Sequence, residues 1–242
     1  EYYARGRMPY PQALAAALRD ELALDGDGRL LDVGCGPGPL THLLAPLFAE
    51  AVGVDADPDM VRVAERGAAA NERFVHLRAE QLPAGLGMFR LVTLAQSFHW
   101  FETEEVAATL HGMLESAGSL VHVGATTHEG DGNVPRGEIS ELISSWLGAR
   151  RRAGQGFRDL QPGADHRVIF DEVGFRNRRE VEVERDETFE RSEDDVVASV
   201  FSQSFSAPHL FGDRLAEFET ELRALLHGRG PFVERPRSLT AT

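Results

Sequence analysis

The chain of 242 residues contains no lysine, so all 25 of its basic residues are arginines. The Walker phosphate loop, the ATP-binding lysine of kinases and Schiff-base catalysis each need a lysine amine. Three large classes of enzyme are therefore excluded. A lysine-free chain that is rich in alanine, arginine and glycine is also typical of a GC-rich genome, from which we expect a bacterial source.

Cysteine and long apolar runs are scarce as well. The single cysteine, Cys35, cannot form an internal disulfide, a Cys-x-x-Cys redox pair or a multi-cysteine zinc site. This usage is typical of a reducing compartment and predicts a cytoplasmic location. No apolar run approaches the roughly 18 residues of a membrane span, and residues 1–10 lack the apolar core of a signal peptide. We expect no membrane partner.

The chain also has few basic residues relative to acidic ones. It contains 39 acidic and 25 basic residues, which give a formal charge of −14. Such a chain matches phosphate backbones poorly, so we expect a small-molecule substrate and no nucleic acid. The histidines 122, 128, 166 and 209 lack the spacing of metal ligands, and no metal site is predicted. Length and a hydrophobic content of 42% favour one domain with a lid, as a monomer or a homodimer.

The first 125 residues alternate short apolar runs with amphipathic stretches, which is typical of a parallel sheet covered by helices on both faces. The pattern predicts five strands, at residues 29–33, 51–55, 74–78, 91–95 and 119–125. Glycine and proline turns or helical stretches connect them. The fold class is therefore predicted as doubly wound α/β.

After residue 125 the alternation stops. We expect a loop over residues 126–134, helices over 134–152, 167–173 and 213–226, a strand over 176–183, and a capping box that starts a helix at Ser192. The tail, 232–240, is predicted as an edge strand, where Pro236 is tolerated. We divide the chain into a core at 1–125, a helical lid at 126–165, and a segment at 166–242 that completes the sheet. A helical cap is inserted into that last segment at about 192–228, and the whole is predicted to be one structural domain.

The most informative segment is residues 30–38, Leu-Leu-Asp-Val-Gly-Cys-Gly-Pro-Gly, which ends a buried strand and opens a helix. Glycines at such a turn let the backbone approach a ligand, and the carboxyl ends of parallel strands form a crevice there. Asp55, about twenty residues further on, can accept both hydroxyls of a ribose. Together these features predict a cofactor that contains adenosine.

The type of cofactor follows from the same turn. A dinucleotide fingerprint needs a glycine at position 39, which is Pro39 here. Pro37 and Pro39 also lack two N–H groups that a pyrophosphate would use. A positively charged adenosyl cofactor without phosphate fits better, and a dinucleotide oxidoreductase is the disfavoured alternative.

Four segments then occur in a familiar order, at residues 32–38, 53–60, 79–83 and 91–101. They resemble the successive motifs of class I S-adenosylmethionine-dependent methyltransferases, in the small-molecule branch with Gln-x-Phe-His-Trp after the fourth strand. The N-terminal pattern of Tyr3, Arg7, Tyr10 and Pro11 resembles the same branch. The likeness covers residues 2 to about 125. It implies a Rossmann-like fold with a mainly parallel seven-stranded sheet, S-adenosylmethionine as cofactor and S-adenosylhomocysteine as product.

The resemblance also implies which residues contact the cofactor. Those expected at its methionine part and ribose are Asp32, Gly34, Gly36, Gly38 and Asp55, with Asp32 reaching the amino group. Those expected at the adenine are Ala56, Met60, Ala79 and Glu80. Ala95, Gln96 and His99 would lie beside the sulfonium, and Tyr3, Arg7 and Tyr10 would close over the site. Arg78 and Arg90 stand where many relatives have acids, so adenine recognition by a side chain is left open.

Methyl transfer from a sulfonium is an in-line displacement in which positioning dominates. His99 is our candidate for the base that takes a proton from the acceptor, because histidine has an ordinary pKa near 6.5. The alternative for His99 is packing beside Phe98 and Trp100, or a hydrogen bond to substrate. Gln96 does not titrate and is expected to orient the cofactor or substrate.

Three hypotheses remain at this point. The first is transfer of methyl to a small, largely apolar molecule, in secondary metabolism, with Trp146, Phe157, Phe201, Phe205 and Phe211 as a wall of the acceptor pocket or as plain core. The second is a protein that binds S-adenosylmethionine without methylating, as another kind of enzyme or as a regulator. The third is the dinucleotide oxidoreductase.

Overall fold

The computed structural model describes residues 2–124, 130–148, 151–153, 156–158, 166–236 and 238–242. Within them, the helices are α1 (Tyr2–Gly6), α2 (Gln12–Glu21), α3 (Pro39–Leu44), α4 (Pro58–Arg66), α5 (Thr103–Gly112), α6 (Arg136–Leu147), α7 (His166–Val173), α8 (Glu193–Phe201) and α9 (Leu215–Leu226). The strands are β1 (Arg29–Val33), β2 (Glu50–Asp55), β3 (Glu72–His76), β4 (Phe89–Ala95), β5 (Leu114–Gly124), β6 (Gly130–Gly132), β7 (Arg151–Ala153), β8 (Gly156–Arg158), β9 (Val181–Val183), β10 (Phe189–Arg191), β11 (Phe232–Pro236) and β12 (Leu239–Ala241). In these segments no helix combines the length and the apolar character that crossing a bilayer requires.

Seven strands form the main sheet, in the order β3-β2-β1-β4-β5-β12-β9. The first five are parallel, and β12 runs antiparallel to both of its neighbours. The predicted doubly wound, mainly parallel seven-stranded sheet is confirmed. The order reverses between β1 and β4, and in such sheets a crevice opens at this point beyond the carboxyl ends of the strands.

Both faces of the main sheet are buried. Leu30 packs in an apolar cluster with residues of α2 and α3, whereas the next residue, Leu31, packs in a second cluster with residues of α5 and α7. Neighbouring side chains on a strand point to opposite faces, so these adjacent leucines belong to separate cores. This explains why the central strands β1, β2 and β4 are buried along most of their length instead of alternating between buried and exposed residues.

The chain divides into two compact units. The sheet unit comprises Pro9–Ala125, Ala164–Glu184 and Ser238–Thr242, and it contains the seven-stranded sheet. The helical unit comprises Glu1–Met8, Thr126–Gly163 and Arg185–Arg237. In the helical unit, α6, α8 and α9 enclose an apolar core, and the strands β10-β11-β6 form a separate sheet. The predicted division of a single domain into a core, a lid at 126–165 and a cap at 192–228 stays a prediction.

The C-terminal tail differs from the expected edge strand. It forms two strands in two sheets: β11 is the middle strand of the three-stranded sheet, and β12 lies between β5 and β9. Pro236 ends β11, opposite Gly130, and the end of a strand tolerates the missing N–H. The expected strand at 176–183 is shortened to β9. The expected helix at 134–152 is described only as α6, with Gly148 at positive φ after its last residue.

The predicted capping box at the start of α8 is confirmed. The Asp195 backbone N–H donates to Ser192 Oγ at 3.2 Å, and the Ser192 backbone N–H donates to Asp195 Oδ2 at 2.8 Å. These bonds satisfy two N–H groups that have no partner within the helix.

We expect Ser192→Ala to lower the free energy of unfolding by about 1 kcal/mol, because the first turn of α8 loses its side-chain acceptor. Denaturant unfolding measures this change. Ser145→Ala, which removes a hydroxyl within α6 that donates to the Leu142 carbonyl, is the control. Equal losses in the two variants would contradict a specific capping effect.

Candidate functional site

The turn after β1 is built from glycines in the left-handed region. Gly34, Gly36 and Gly38 have φ of 70°, 57° and 81°, which side chains disfavour. A Cβ on Gly34 would lie 2.5 Å from Ser97 Cβ. The N–H groups of Gly34 and of the next residue both donate to the Val54 carbonyl, at 2.9 and 3.0 Å. The turn therefore follows β1 closely and is fixed to the end of β2.

Asp55 ends β2 beside this turn. Its Oδ2 accepts the Gly36 N–H and its Oδ1 accepts the Asp57 N–H, both at 2.8 Å. Burial raises the pKa of Asp55, and the two N–H bonds oppose that rise. A carboxylate has about four lone-pair sites, so two donors leave acceptor capacity on a half-buried group. Asp55 is thus oriented by the backbone and can still accept hydroxyls.

Asp32 lies beneath the turn and is 1% exposed. Thr41 Oγ1 donates to its Oδ2 at 2.6 Å, and Thr93 Oγ1 donates to its Oδ1 at 2.8 Å. Burial raises the pKa of Asp32 to about 6, although both hydroxyl bonds lower it. The carboxylate therefore connects β1, α3 and β4. Its predicted contact with the amino group of a cofactor stays a prediction.

The segment after β4 lies at the same edge of the sheet as the glycine turn, because β1 and β4 are parallel neighbours. Gln96 has φ of 54°, and its amide Nε2 is buried without a hydrogen-bond partner among the described residues. A side-chain-bearing residue at positive φ and an unsatisfied buried donor are both costly, and such costs are typical of functional sites. Ala95 is half-buried and packs against the cluster of α2 and α3. The Gln96 amide can therefore offer this donor to a ligand.

Ser97 is a site residue that sequence reasoning missed. Its hydroxyl donates to the Val33 carbonyl at 2.6 Å and its Cβ occupies the space beside Gly34. It therefore ties the end of β4 to the end of β1. Its place within the motif was the available signal, but the pattern does not reveal a bond to a distant backbone carbonyl.

The short turn Phe98–Trp100 carries the candidate base. Phe98 is fully buried, with its ring centroid 4.9 Å from that of Phe170 and 5.0 Å from that of His166, so it is a core residue. His99 is half-buried and lies against Trp100, with 4.5 Å between ring centroids. The role of His99 as a base stays a prediction.

The residues expected at the adenine differ in exposure. Ala56 is exposed, Met60 is half-buried and Ala79 is buried. Glu80 Oε2 lies 3.4 Å from Arg78 Nε, and Glu80 Oε1 accepts the N–H of residue 102 at 3.4 Å. Arg78, which stands where relatives have an acid, is thus paired with a carboxylate on the following turn.

Tyr3 and Arg7 belong to the helical unit. Arg7 donates from Nε to Ser202 Oγ at 3.1 Å and from Nη2 to the Ser202 carbonyl at 3.0 Å, and its guanidinium carbon lies 5.2 Å from the Tyr3 ring centroid. Tyr10 belongs to the sheet unit and packs against its apolar cluster. Closure of these residues over a cofactor stays a prediction.

The aromatic residues proposed for an acceptor wall divide into two groups. Phe201 and Phe211 are buried and pack against Phe218, so they are core residues. Phe205 is half-buried and lines a cavity of the helical unit. Trp146 is also half-buried and donates from Nε1 to Glu221 Oε2 at 2.9 Å. The side chain of residue 157 lies outside the described part of the chain.

Cys35 has no catalytic surroundings. It is buried with Val61, Ala64 and Phe74, and burial raises the pKa of its thiol. A thiol that stays protonated is a poor nucleophile, so Cys35 is a packing residue. In the described segments no three His, Cys, Asp or Glu side chains come together as a set that could hold a metal ion.

The raised pKa of Asp32 predicts a pH-dependent stability. The ordinary pKa is 3.8 and the folded value is about 6. Stability from such a group is fully present below the lower value and is lost as pH rises through the higher one. Between pH 4.5 and 7.5 we expect the wild type to lose about 2 kcal/mol of unfolding free energy relative to Asp32→Asn. Denaturant unfolding of both proteins at both pH values measures this difference, and parallel stability profiles would contradict it.

Comparison with known proteins finds similarity to methyltransferases. Residues 30–118 match a family model described as a methyltransferase domain. An uncharacterized methyltransferase-like protein of Schizosaccharomyces pombe is 29% identical over 66% of this chain and 65% of its own length. An uncharacterized methyltransferase of Mycobacterium tuberculosis, Rv3342, is 32% identical over 58% of this chain and 55% of its own length. The chain thus covers less than two thirds of either relative.

Solved structures share the doubly wound α/β fold of this chain. A proposed type II methyltransferase from Anaeromyxobacter dehalogenans aligns with a TM-score of 0.56 and 23% identity over 97% of this chain and 94% of that one. The YcgJ protein from Bacillus subtilis aligns with a TM-score of 0.52 and 17% identity over 96% and 97% of the two chains. Residues 30–118 thus match a methyltransferase domain in sequence. The fold of the chain is the Rossmann-like fold of these solved structures.

Proposed function

We propose that the chain is an S-adenosylmethionine-dependent methyltransferase that methylates a small, largely apolar molecule and releases S-adenosylhomocysteine. The observation that carries the proposal is the Asp55 carboxylate, which is held by the Gly36 N–H beside a turn of three glycines. The match of residues 30–118 to a methyltransferase domain supports it. The bacterial source, the cytoplasmic location and the role in secondary metabolism remain part of the proposal.

The residues present fit an adenosyl sulfonium. The glycine turn offers backbone without side chains, and Asp55 offers acceptors for a ribose diol. The buried Nε2 of Gln96 is a donor that a ligand acceptor would satisfy. The helix α3 begins at Pro39, so its first position lacks the N–H that a pyrophosphate would use. This last feature favours a cofactor without phosphate over a dinucleotide.

The proposed contacts follow the resemblance position by position. The residues that would hold the cofactor are Tyr3, Arg7, Asp32, Gly34, Gly36, Gly38, Asp55, Ala56, Met60, Ala79, Glu80, Ala95 and Gln96. When bound, S-adenosylmethionine supplies a methyl group on a positively charged sulfonium. The chain lacks lysine, and the buried Asp32 and half-buried Asp55 provide negative charge on this side of the sheet, which suits a cationic ligand.

The chemical work of the chain is mainly orientation. Asp55 and the glycine turn would fix the position of the cofactor. Gln96 Nε2 would orient the cofactor or the substrate by donating a hydrogen bond to it. His99, half-buried against Trp100, would hold the proton that leaves a hydroxyl, amine or carbon acceptor. Trp100 would limit access of water to the imidazole.

We expect Asp55→Asn to weaken binding of S-adenosylhomocysteine by about 10- to 150-fold, which corresponds to roughly 1.5–3 kcal/mol for a hydrogen bond to a charged group. The amide oxygen can still accept the Gly36 N–H, which keeps the bond to the glycine turn, whereas the bond from the Asp57 N–H is lost. Titration calorimetry measures the affinity. Asp59→Asn removes an exposed acid of α4 and serves as the matched control. An unchanged affinity in Asp55→Asn would remove this placement of the cofactor.

We expect the wild type to convert S-adenosylmethionine to S-adenosylhomocysteine in a small-molecule cell extract, and His99→Gln to do so about 10²- to 10⁴-fold more slowly. Affinity for S-adenosylhomocysteine should stay within about threefold, because His99 acts on the acceptor. Chromatography of the product measures the rate. Undiminished turnover in His99→Gln would exclude the base, and binding without any turnover would favour a protein that binds the cofactor without methylating.

A further inference from the structure

The helical unit contains a cavity of about 230 Å³ whose lining residues all belong to this unit. The apolar part of the lining comes from α6, from α8 and from the segments beside them: Val134, Ile139, Ile143, Val196, Val200 and Phe205. The polar part consists of Arg136, Ser140, Ser199, Gln203 and Glu234. A cavity with apolar walls and a few polar groups is the common form of a small-molecule site.

The two charged residues of the lining are paired within the protein. Arg136 Nη2 forms an ion pair with Glu234 Oε1, and the other oxygen of Glu234 faces Arg191 Nε at 3.5 Å. The Glu234 side chain is only 4% exposed, so an anionic ligand beside Arg136 would meet a buried negative charge, which costs free energy. A cationic ligand would meet a carboxylate whose two oxygens already face arginines. The charged groups therefore favour a neutral ligand.

The neutral polar groups on the α8 side of the cavity lie on one face of the helix. Four lining residues are spaced three or four positions apart, which places them side by side: Val196, Ser199, Val200 and Gln203. Gln203 stands two residues past the end of α8. Ser199 is 8% exposed and Gln203 is half-buried. A hydroxyl and an amide thus lie next to each other between apolar side chains.

In the described segments, Ser199 and Gln203 form their hydrogen bonds through backbone atoms. The Ser199 carbonyl accepts from Ser202 Oγ at 2.7 Å, and the Gln203 carbonyl accepts the Ser206 N–H at 3.1 Å. The hydroxyl of Ser199 and the amide of Gln203 each contain a donor and an acceptor. Buried polar groups are costly when they lack a hydrogen bond. A ligand that both donates and accepts would reduce that cost.

The size and walls of the cavity limit the rest of the ligand. Its volume is below the roughly 300–1,000 Å³ of typical ligand pockets, so the ligand must be small. The valine, isoleucine and phenylalanine side chains of the lining favour a hydrocarbon body over a sugar or a phosphate ester. A hydroxyl is the neutral group that donates and accepts through one atom, so it can bond to both side chains on the α8 face.

We propose that this cavity binds a small neutral alcohol, with its hydroxyl at Ser199 and Gln203 and its apolar body between α6 and α8. This site goes beyond the proposed methyl transfer, because its lining shares no residue with the contacts proposed for the cofactor. It does not depend on the glycine turn or on Asp55.

NMR titrations of the isotope-labelled full chain with four probes test the ligand class. The probes are benzyl alcohol, toluene, benzoate and benzylammonium, which share the ring and differ in the group attached to it. We expect benzyl alcohol to bind at least threefold more tightly than toluene, and at least tenfold more tightly than benzoate or benzylammonium. Toluene or benzoate binding as tightly as benzyl alcohol, or no binding of benzyl alcohol at millimolar concentrations, would overturn the proposal.

Two variants of the α8 face locate the bound hydroxyl. Ser199→Ala should weaken benzyl alcohol by about three- to tenfold, because one hydrogen bond is lost, and should leave toluene within twofold. Gln203→Trp should weaken both probes at least tenfold, because the indole occupies the cavity. Ser145→Ala is the matched control, since it removes an exposed hydroxyl from α6 of the same unit. Equal weakening of both probes in Ser199→Ala, or unchanged binding in both variants, would contradict the assignment.

S-Adenosylhomocysteine titrations on the same proteins separate the two proposals. If benzyl alcohol binds as described and S-adenosylhomocysteine does not bind, the alcohol site stands and the proposed methyl transfer fails. If S-adenosylhomocysteine binds and benzyl alcohol does not, the alcohol site fails alone. Ser199→Ala should leave the affinity for S-adenosylhomocysteine unchanged.

Discussion

The buried Asp32 carboxylate is the interaction on which the glycine turn depends. Its two oxygens accept hydroxyls from Thr41 on α3 and Thr93 on β4, so one side chain joins three elements where the sheet order reverses. With a pKa of about 6 the group is mostly ionised at neutral pH despite its burial. The two hydroxyl bonds offset part of the desolvation cost. These hydrogen bonds of Asp32 thereby fix the position of the glycine turn before any ligand binds.

Asp55 shows how the same residue type acquires a different role one strand away. Its carboxylate is also oriented by two donors, but these are backbone N–H groups, and the side chain is half-buried instead of enclosed. The enclosed Asp32 holds secondary structure together, while Asp55 keeps oxygens available at the crevice. A site of this kind needs both, because a carboxylate can orient a ligand only if its own position is already fixed.

The sequence predicted the features that depend on neighbouring residues. Short apolar runs located the first five strands, and the glycines located the turn, because both signals are local. Features that depend on distant partners were missed or wrong. The tail enters two sheets because strand pairing is decided by the whole fold, and Pro236 tolerates this at the end of β11. The bond from the Ser97 hydroxyl to the Val33 carbonyl spans 64 residues of sequence, so no local pattern indicated it.

The absence of lysine has a further consequence in the helical unit. A buried lysine can lose its proton and become neutral, but an arginine stays charged at every physiological pH. Arg136 and Arg191 therefore cannot relieve their shared environment by deprotonation. Burial raises the pKa of Glu234, against the two arginine charges that lower it, so this buried acid is itself costly to ionise. The ion pairs of Arg136 and Arg191 with Glu234 therefore depend on the protonation state of Glu234 and not on that of the arginines.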